Sequence, residues 1–359
     1  MATNMQGSGR STIHDIAREL GVSARTVSRV LNDLPGVSPK TRARVAAYVQ
    51  EAGYQPHSGA RSLRSHKIDC IGVSLASPPE VVPLSQDLLG WLFGELYRLF
   101  GIHGEFISFD LHTMPVNGFR DYARGIWQQR FGATVLAGAF ADDDTILRRV
   151  HLSGHPYVAL ARLDTMPEAN TAAVDYEEGA YLSTQFLLSR GHRRIGMLMA
   201  MLGYQPGTER LRGYRRAHEE AGVPVDEQII RQTPFRAGEL ATLTHQLLND
   251  RSVTGLVDCS GAEDSASLRS GAARSGRSLG KDVEVVVWTY TYGATVMAEA
   301  SAHLWLPVRE ASCEGLERLA AQVYGKSKEP FQVVYRPQLL MPPYDVEIPP
   351  RQPVFTVGR

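Results

Sequence analysis

The chain has 359 residues, with 38 Lys and Arg against 38 Asp and Glu, so its formal net charge is zero, and 43% of it is hydrophobic. That composition supports folded cores and excludes a disordered or fibrous chain, and the length suits a small domain plus a larger, two-lobed domain. No apolar run reaches the roughly 18 residues that a membrane span needs. The three cysteines, Cys70, Cys259 and Cys313, are odd in number and far apart. They read as reduced thiols of a cytoplasmic protein, neither a disulfide nor a metal set.

The charge is unevenly placed. Residues 1–66 hold nine Lys and Arg but four Asp and Glu, and the rest of the chain is acidic by the same margin. A basic head on an acidic body implies that the head alone meets a polyanion. Residues 1–10 are polar, lack the apolar stretch of a signal peptide, and read as a disordered lead-in.

From Thr12 to Leu31 the pattern predicts two short helices joined by a tight turn. Thr12 followed by Asp15 is a helix start of capping-box type. Ile16, Ala17 and Leu20 share one face. Gly21 ends the helix because glycine enters the left-handed conformation cheaply, and Ser23 caps the next one. There Val27, Val30 and Leu31 form the buried stripe, while Arg25 and Arg29, four apart, share an exposed face. This is a helix-turn-helix pattern, whose second helix enters the DNA major groove. Arg25 and Arg29 can each bond a guanine edge or a phosphate, and Ala24 and the Thr26 methyl can meet a thymine methyl. Ser38-Pro39 opens a third helix, with Pro at the first helical position. It carries Val45, Ala46 and Val49 and stops at Gly53. Residues 54–66 then read as a short segment that is helix-capable but weak alone, since Gly59 costs it roughly 1 kcal/mol against Ala.

From Ile68 onward strands alternate with helices. Strands are expected at 68–75, 104–109, 133–138 and 157–160, with a helix over 84–99. A second series opens with 171–175 and continues through helices at 181–190 and 208–221 and strands at 194–198, 254–258 and 283–288. A helix over 314–324 and a late strand over 331–335 follow. Such alternation means parallel sheets covered on both faces. Ligands of open α/β sheets bind at the carboxyl ends of the strands, here the cleft between two lobes. The tail after Met341 is Pro-rich and has no leucine heptad, which argues for a dimer over a coiled-coil tetramer.

The run from TIHDIARELGVSARTVSRVLND through GVSPKTRARV to GYQPHSGARSLRS resembles the headpiece and hinge of the LacI (lactose-repressor) family of bacterial transcription regulators, and weaker echoes continue to about residue 340. The resemblance implies a small all-α helix-turn-helix headpiece plus a two-lobed, periplasmic-binding-protein-like effector domain of doubly wound parallel sheets. The expected organisation is a lead-in over 1–10, the DNA-binding domain over 11–56, a hinge over 57–67, the effector and dimerisation domain over 68–344, and a tail over 345–359. The first lobe would hold about 68–168 and 305–326 and the second about 169–304 and 327–344, with three crossings between them. Pattern and resemblance together give a DNA-contacting set of Thr12, Ser23, Ala24, Arg25, Thr26, Ser28, Arg29, Asn32, Arg42, Tyr54, His57, Ala60, Arg61, Leu63 and Arg64. Arg42 or Arg44 would hold phosphates, and Leu63 matches the hinge leucine that wedges into the minor groove. His57 stands where the family usually has Asn.

Within the body, Gly191-His192-Arg193-Arg194-Ile195-Gly196 and Glu209-Arg210-Leu211-Arg212-Gly213-Tyr214 are the clearest echoes. Arg210 matches the arginine that holds the effector in many members. Three usual polar anchors are missing: Ala161, Gly261-Ala262 and Val287-Trp288-Thr289-Tyr290 stand in their places. Expected effector contacts are therefore Arg210, Thr289, Tyr290, Phe235, Ala161 and Gly261. Several readings of the pocket are open: an acid or phosphorylated sugar, a degenerate ligand-independent pocket, or acids supplied instead by Glu263-Asp264.

Enzymatic readings find no support. No GxGxxG follows a strand, no GxxxxGK[ST] or GxSxG occurs, and His103, His112, His151 and His155 are scattered without HExxH or CxxC spacing. No catalytic residue, cofactor or metal is expected. A soluble solute-binding protein fits the body but not the headpiece. The expected function is a sequence-specific transcriptional regulator, most simply a repressor. It binds a pseudo-palindromic operator as a homodimer under control of a sugar, sugar derivative or small acid. The alternative is a ligand-independent or activating regulator.

Overall fold

The structure is a computed structural model. It describes residues 12–31, 34–52, 70–76, 86–110, 121–141, 143–201, 203–233, 238–262, 264–290, 297–342 and 353–355. The chain divides into two compact units, Met1–Lys67 and Ile68–Arg359.

The first unit holds α1 (Ile13–Glu19), α2 (Ala24–Leu31) and α3 (Pro39–Glu51). Local chemistry sets each start. The Asp15 amide donates to Thr12 Oγ1 at 3.3 Å and the Thr12 amide returns a bond to Asp15 Oδ2 at 2.9 Å, a reciprocal capping box. The Thr26 amide donates to Ser23 Oγ at 3.0 Å and the Thr41 amide to Ser38 Oγ at 3.2 Å, with Pro39 in the first turn of α3. Gly21 has φ +59° and turns the chain between α1 and α2. Ile16, Ala17, Val27 and Val45 form the small core, ringed by half-buried Leu20, Val30, Leu31, Tyr48 and Val49. Ala46, expected to face inward, is exposed.

The second unit is built on two sheets. The first contains, in spatial order, β13 (Pro353–Phe355), β11 (Gln332–Tyr335), β5 (Thr171–Val174), β4 (Tyr157–Ala159), β3 (Ala133–Ala137), β1 (Cys70–Leu75) and β2 (Phe106–Asp110). The second runs β12 (Gln338–Leu340), β10 (Ala302–Trp305), β9 (Glu284–Thr289), β8 (Gly255–Cys259), β6 (Ile195–Met199) and β7 (Ile230–Gln232). Every pairing is parallel except β10 with β12 and β11 with β13. Helices α4 (Gln86–Leu99), α5 (Arg124–Trp127) and α6 (Thr145–Leu152) belong to the first lobe's stretch of chain. Helices α7 (Tyr176–Ser189), α8 (Gln205–Glu220), α9 (Glu239–Leu248) and α10 (Ser265–Arg274) belong to the second. Helix α11 (Val308–Val323) packs on β5, β11 and α4. The inner strands β1, β3, β6, β8 and β9 are near-continuous runs of buried residues, as parallel sheets covered on both faces require.

The lobe boundaries differ from the sequence reading at two strands. Thr171–Val174 and Gln332–Tyr335 pair with each other, and both lie in the first sheet, not the second lobe. A buried run of four residues predicts a strand but not which sheet edge receives it. The chain passes between lobes after β5, after β10 and after β11, and β13 places the end of the tail back on the first sheet. Among the described residues no helix is long and apolar enough to cross a membrane.

Candidate DNA-reading helix and interlobe ligand site

Helix α2 buries Val27 completely and presents Arg25 to solvent. The other arginines of the headpiece are engaged within it. Arg29 is half-buried, not exposed as expected. Its Nε donates to the Pro35 carbonyl at 3.1 Å, closing the loop that follows α2. Arg42 Nη2 donates to the Leu34 carbonyl at 2.6 Å on the same loop, and Arg44 Nη2 donates to the Leu20 carbonyl at the end of α1. A guanidinium carries five donors, so a single such bond leaves Arg29 and Arg44 others for phosphates. Thr12 is committed to its cap, its hydroxyl 2.7 Å from Asp15 Oδ2. Ser23 and Thr26 share a hydroxyl bond of 2.8 Å. Ala24 is half-buried against the core and Ser28 is half-buried. Asn32, Tyr54, His57, Ala60, Arg61, Leu63 and Arg64 lie outside the described residues, as does the whole hinge.

In the body the first turns of α8 stand at the junction of the lobes. The Gln205 amide donates to the first-lobe Phe140 carbonyl at 2.9 Å. Arg162, on the loop after β4, has its Nε 2.8 Å from Asp164 Oδ1 and 3.8 Å from Glu209 Oε1, and its Nη1 3.3 Å from Asp175 Oδ2. Asp164 also meets Arg212 of α8 at 3.0 Å. Glu209 is fully buried. Gln205 Nε2 donates to its Oε1, and its Oε2 has no partner. Burial pushes its carboxyl up to about 8, against the pull of Arg162.

Arg210 follows it in the chain and is 1% exposed. Its Cζ lies 4.6 Å from the Tyr176 ring centroid and 5.3 Å from that of Trp288, two rings stacked 6.1 Å apart and nearly parallel at 6°. Such cation–π contacts favour a desolvated guanidinium. The Trp288 indole donates to Ser183 Oγ at 3.0 Å, which fixes the ring beneath the arginine. At the end of β8, Gly261 has φ +76°, and a Cβ built there would stand 2.5 Å from the Tyr290 hydroxyl. Gly261 and Tyr290, singled out separately in sequence, therefore touch. Thr289 is fully buried, and its carbonyl accepts from the Leu306 amide at 2.8 Å.

Other expectations are corrected. Ala161 is buried in the first lobe's core with Tyr157, Leu163 and Met166; the residue that reaches the lobe junction is its neighbour Arg162. Asp264 caps α10 through the Ser267 amide at 3.0 Å, so its carboxylate is spent on the helix start. Phe235 and Glu263 lie outside the described residues. Sequence reasoning missed Arg162, Glu209, Asp175 and the buried Asp258. Asp258 Oδ1 accepts from the Ser260 amide at 3.1 Å, and burial raises its carboxyl to about 6. Among the described residues no group of His, Cys, Asp and Glu could hold a metal ion.

Two parallel-sheet lobes joined by repeated crossings follow a three-helix unit in the chain. Residues 12–57 match the family of bacterial regulatory proteins, lacI family, and residues 184–341 match the periplasmic binding protein-like domain. The chain is 28% identical over 350 residues to the HTH-type transcriptional regulator CelR of Thermobifida fusca, covering 94% of this chain and 99% of that one. It is 24% identical over 338 residues to the HTH-type transcriptional regulator DegA of Bacillus subtilis, covering 92% and 97%. The solved CelR–cellobiose complex superposes with a TM-score of 0.63 at 25% identity, over 92% of this chain and 99% of that one. The lac repressor dimer bound to operator and the anti-inducer ONPF gives 0.69 at 21% identity, over 92% and 98%. The chain carries a lacI-family helix-turn-helix domain followed by a periplasmic-binding-protein-like domain, the make-up of a helix-turn-helix transcriptional regulator.

Proposed function

We propose that this regulator is a repressor that binds a pseudo-palindromic operator as a homodimer, one α2 helix in each half-site. A small molecule held between the lobes near Arg210, Tyr290 and Gly261 would set its DNA affinity. The observation that carries this reading is α2 itself: capped at Ser23, anchored by Val27, and offering Arg25 outward. Arg25 reads a base edge, Arg29 and Arg42 brace the loop after α2, Arg44 holds the end of α1, and Arg29 and Arg44 reach phosphates with their remaining donors. Cellobiose in the CelR complex supports the ligand assignment for this chain, and the lacI-family match over residues 12–57 supports the DNA assignment.

The dimer reading rests on an exposed aromatic face of the first lobe. Phe93 and Tyr97 of α4, Ile102, and Phe106 and Phe109 of the edge strand β2 are solvent-exposed, and the Phe93 and Phe109 rings stack at 6.4 Å. An apolar surface of this kind marks an interaction site, and a second copy would cover the aromatic rings. The ligand shifts DNA affinity only if it prefers one lobe arrangement. The test is selection from random duplex DNA, followed by titration of the recovered fragments. An inverted repeat bound far above random sequence, with affinity falling steeply with salt, is the expected result. Equal binding to all fragments, with and without small molecules, would overturn the proposal.

A further inference from the structure

Among the described residues the second lobe buries two arginines and treats them differently. Arg277 is 7% exposed and is met by backbone carbonyls: its Nη1 donates to those of Asp250 at 3.4 Å and Val253 at 2.5 Å, and its Nη2 to that of Asp282 at 2.7 Å. Arg210 is more deeply buried and has one long bond, Nη1 to the Ala200 carbonyl at 3.4 Å, while its Nε has no partner. Among the described residues no carboxylate lies within 4 Å of the Arg210 guanidinium, although Arg162 has three. The aromatic rings of Tyr176 and Trp288 attract the cation but do not replace acceptors for its N–H edges.

Among the described residues, three acids of this lobe are turned elsewhere. Glu209 faces Gln205 and Arg162, Asp258 accepts from the Ser260 amide, and Asp264 caps α10. These are the groups that would hold the hydroxyls of a neutral sugar. What the site retains is a buried cation that cannot escape by losing its proton, with part of its hydrogen-bonding capacity unmet. A buried charge left in that state is costly.

We propose that the ligand of the interlobe site is an oxyanion, a carboxylate or phosphate group on a small molecule, with Arg210 as its counter-charge. This rests on the reading of the protein as a ligand-controlled regulator. Arg210 sits on the same two turns of α8 that touch the first lobe through Gln205 and Glu209. On this proposal, parting the lobes would break those contacts and admit the anion to the guanidinium. An anion held there therefore acts on the element that joins the lobes.

The experiment compares wild type, Arg210→Met and Arg210→Lys by thermal melting in a zwitterionic buffer at minimal chloride. Each is then melted with inorganic phosphate, glucose 6-phosphate, succinate or glucose at about 10 mM, where binding to the native state raises the melting temperature by mass action. In buffer alone Arg210→Met melts level with or above wild type, because the uncompensated charge is gone. At least one anionic probe raises wild type by several degrees, Arg210→Lys by less and Arg210→Met not at all, while glucose does nothing. Phosphate, sugar phosphate and dicarboxylate arms separate the possible sources of the oxyanion. The inference is overturned if Arg210→Met melts several degrees below wild type in buffer alone. It is equally overturned if glucose matches its phosphate, or if no anionic probe shifts wild type. Operator binding is scored separately: wild type that responds to anions but ignores inverted repeats would sink the regulator reading and leave this one standing, and the reverse result would do the opposite.

Discussion

Arg162 and Glu209 face each other from the two lobes, Nε to Oε1 at 3.8 Å, with the glutamate fully buried. Burial outweighs the arginine and raises the Glu209 carboxyl to about 8. The groups around it are Arg162 and Arg212, which oppose the rise, and Asp164 and Asp175, which add to it. A carboxyl whose folded pKa lies above its unfolded one contributes stability that is fully present below the unfolded value and lost as pH rises through the folded value. Stability is therefore expected to fall between about pH 4.5 and pH 8. Asp258, raised to about 6, adds to the lower part of that window. Glu209→Gln should flatten the upper part and stabilise the protein by about 2–4 kcal/mol near pH 8. Urea titrations at pH 5, 6.5 and 8 check this; a wild-type slope unchanged in the variant would refute the assignment.

Arg25 and Arg29 lie one turn apart on α2 but should behave differently. Arg25 is exposed, and Arg25→Ala is expected to cost about 1–3 kcal/mol of operator affinity, concentrated at one base pair. Arg29 braces Pro35. Arg29→Ala should lower headpiece stability by about 1 kcal/mol and weaken binding to all sequences alike. Binding measured across single-base operator variants separates the two patterns.

The difference between these arginines shows where sequence reading ends. The caps at Thr12, Ser23 and Ser38 and the turn at Gly21 were legible because each is decided by residues within a few positions. So was the alternation of strands and helices. The engagement of Arg29 with Pro35 was not, since helical spacing places it beside Arg25 and only loop closure turns it inward. Thr171–Val174 and Gln332–Tyr335 were read as strands yet assigned to the wrong lobe, because edge choice is a tertiary decision. At the cleft, Arg210 was found through its motif and Gly261 and Tyr290 through what they replace. Arg162 was missed by one position, since Ala161 and Arg162 both follow β4 and nothing local says which of the two leaves the core.

The aromatic face of the first lobe predicts an oligomeric state. Phe106 is 70% exposed on the edge strand β2, so its replacement removes little folded-state packing. Phe106→Glu should leave the melting temperature of the isolated subunit almost unchanged and shift the protein from dimer to monomer in sedimentation. Operator affinity should fall by at least tenfold, because one half-site then binds alone. A variant that stays dimeric would place the subunit contact elsewhere.

Gly261 and Tyr290 give the sharpest local test. At φ +76° a residue with a Cβ is strained, which costs about 1–2 kcal/mol, and the added methyl would stand 2.5 Å from the Tyr290 hydroxyl. Gly261→Ala should therefore destabilise by more than the backbone term alone and should displace the tyrosine. Tyr290→Phe removes the hydroxyl and with it the clash, but not the strain. In a double-mutant cycle the combined variant is expected to recover part of the loss, with a coupling of at least about 0.5 kcal/mol. DNA binding without ligand should survive in all three variants, because the headpiece is a separate unit. Ligand-induced melting shifts should shrink in each, since both residues border the proposed site. If the cycle is additive, the two residues do not press on each other, and the tyrosine's place at the end of β9 would need another cause.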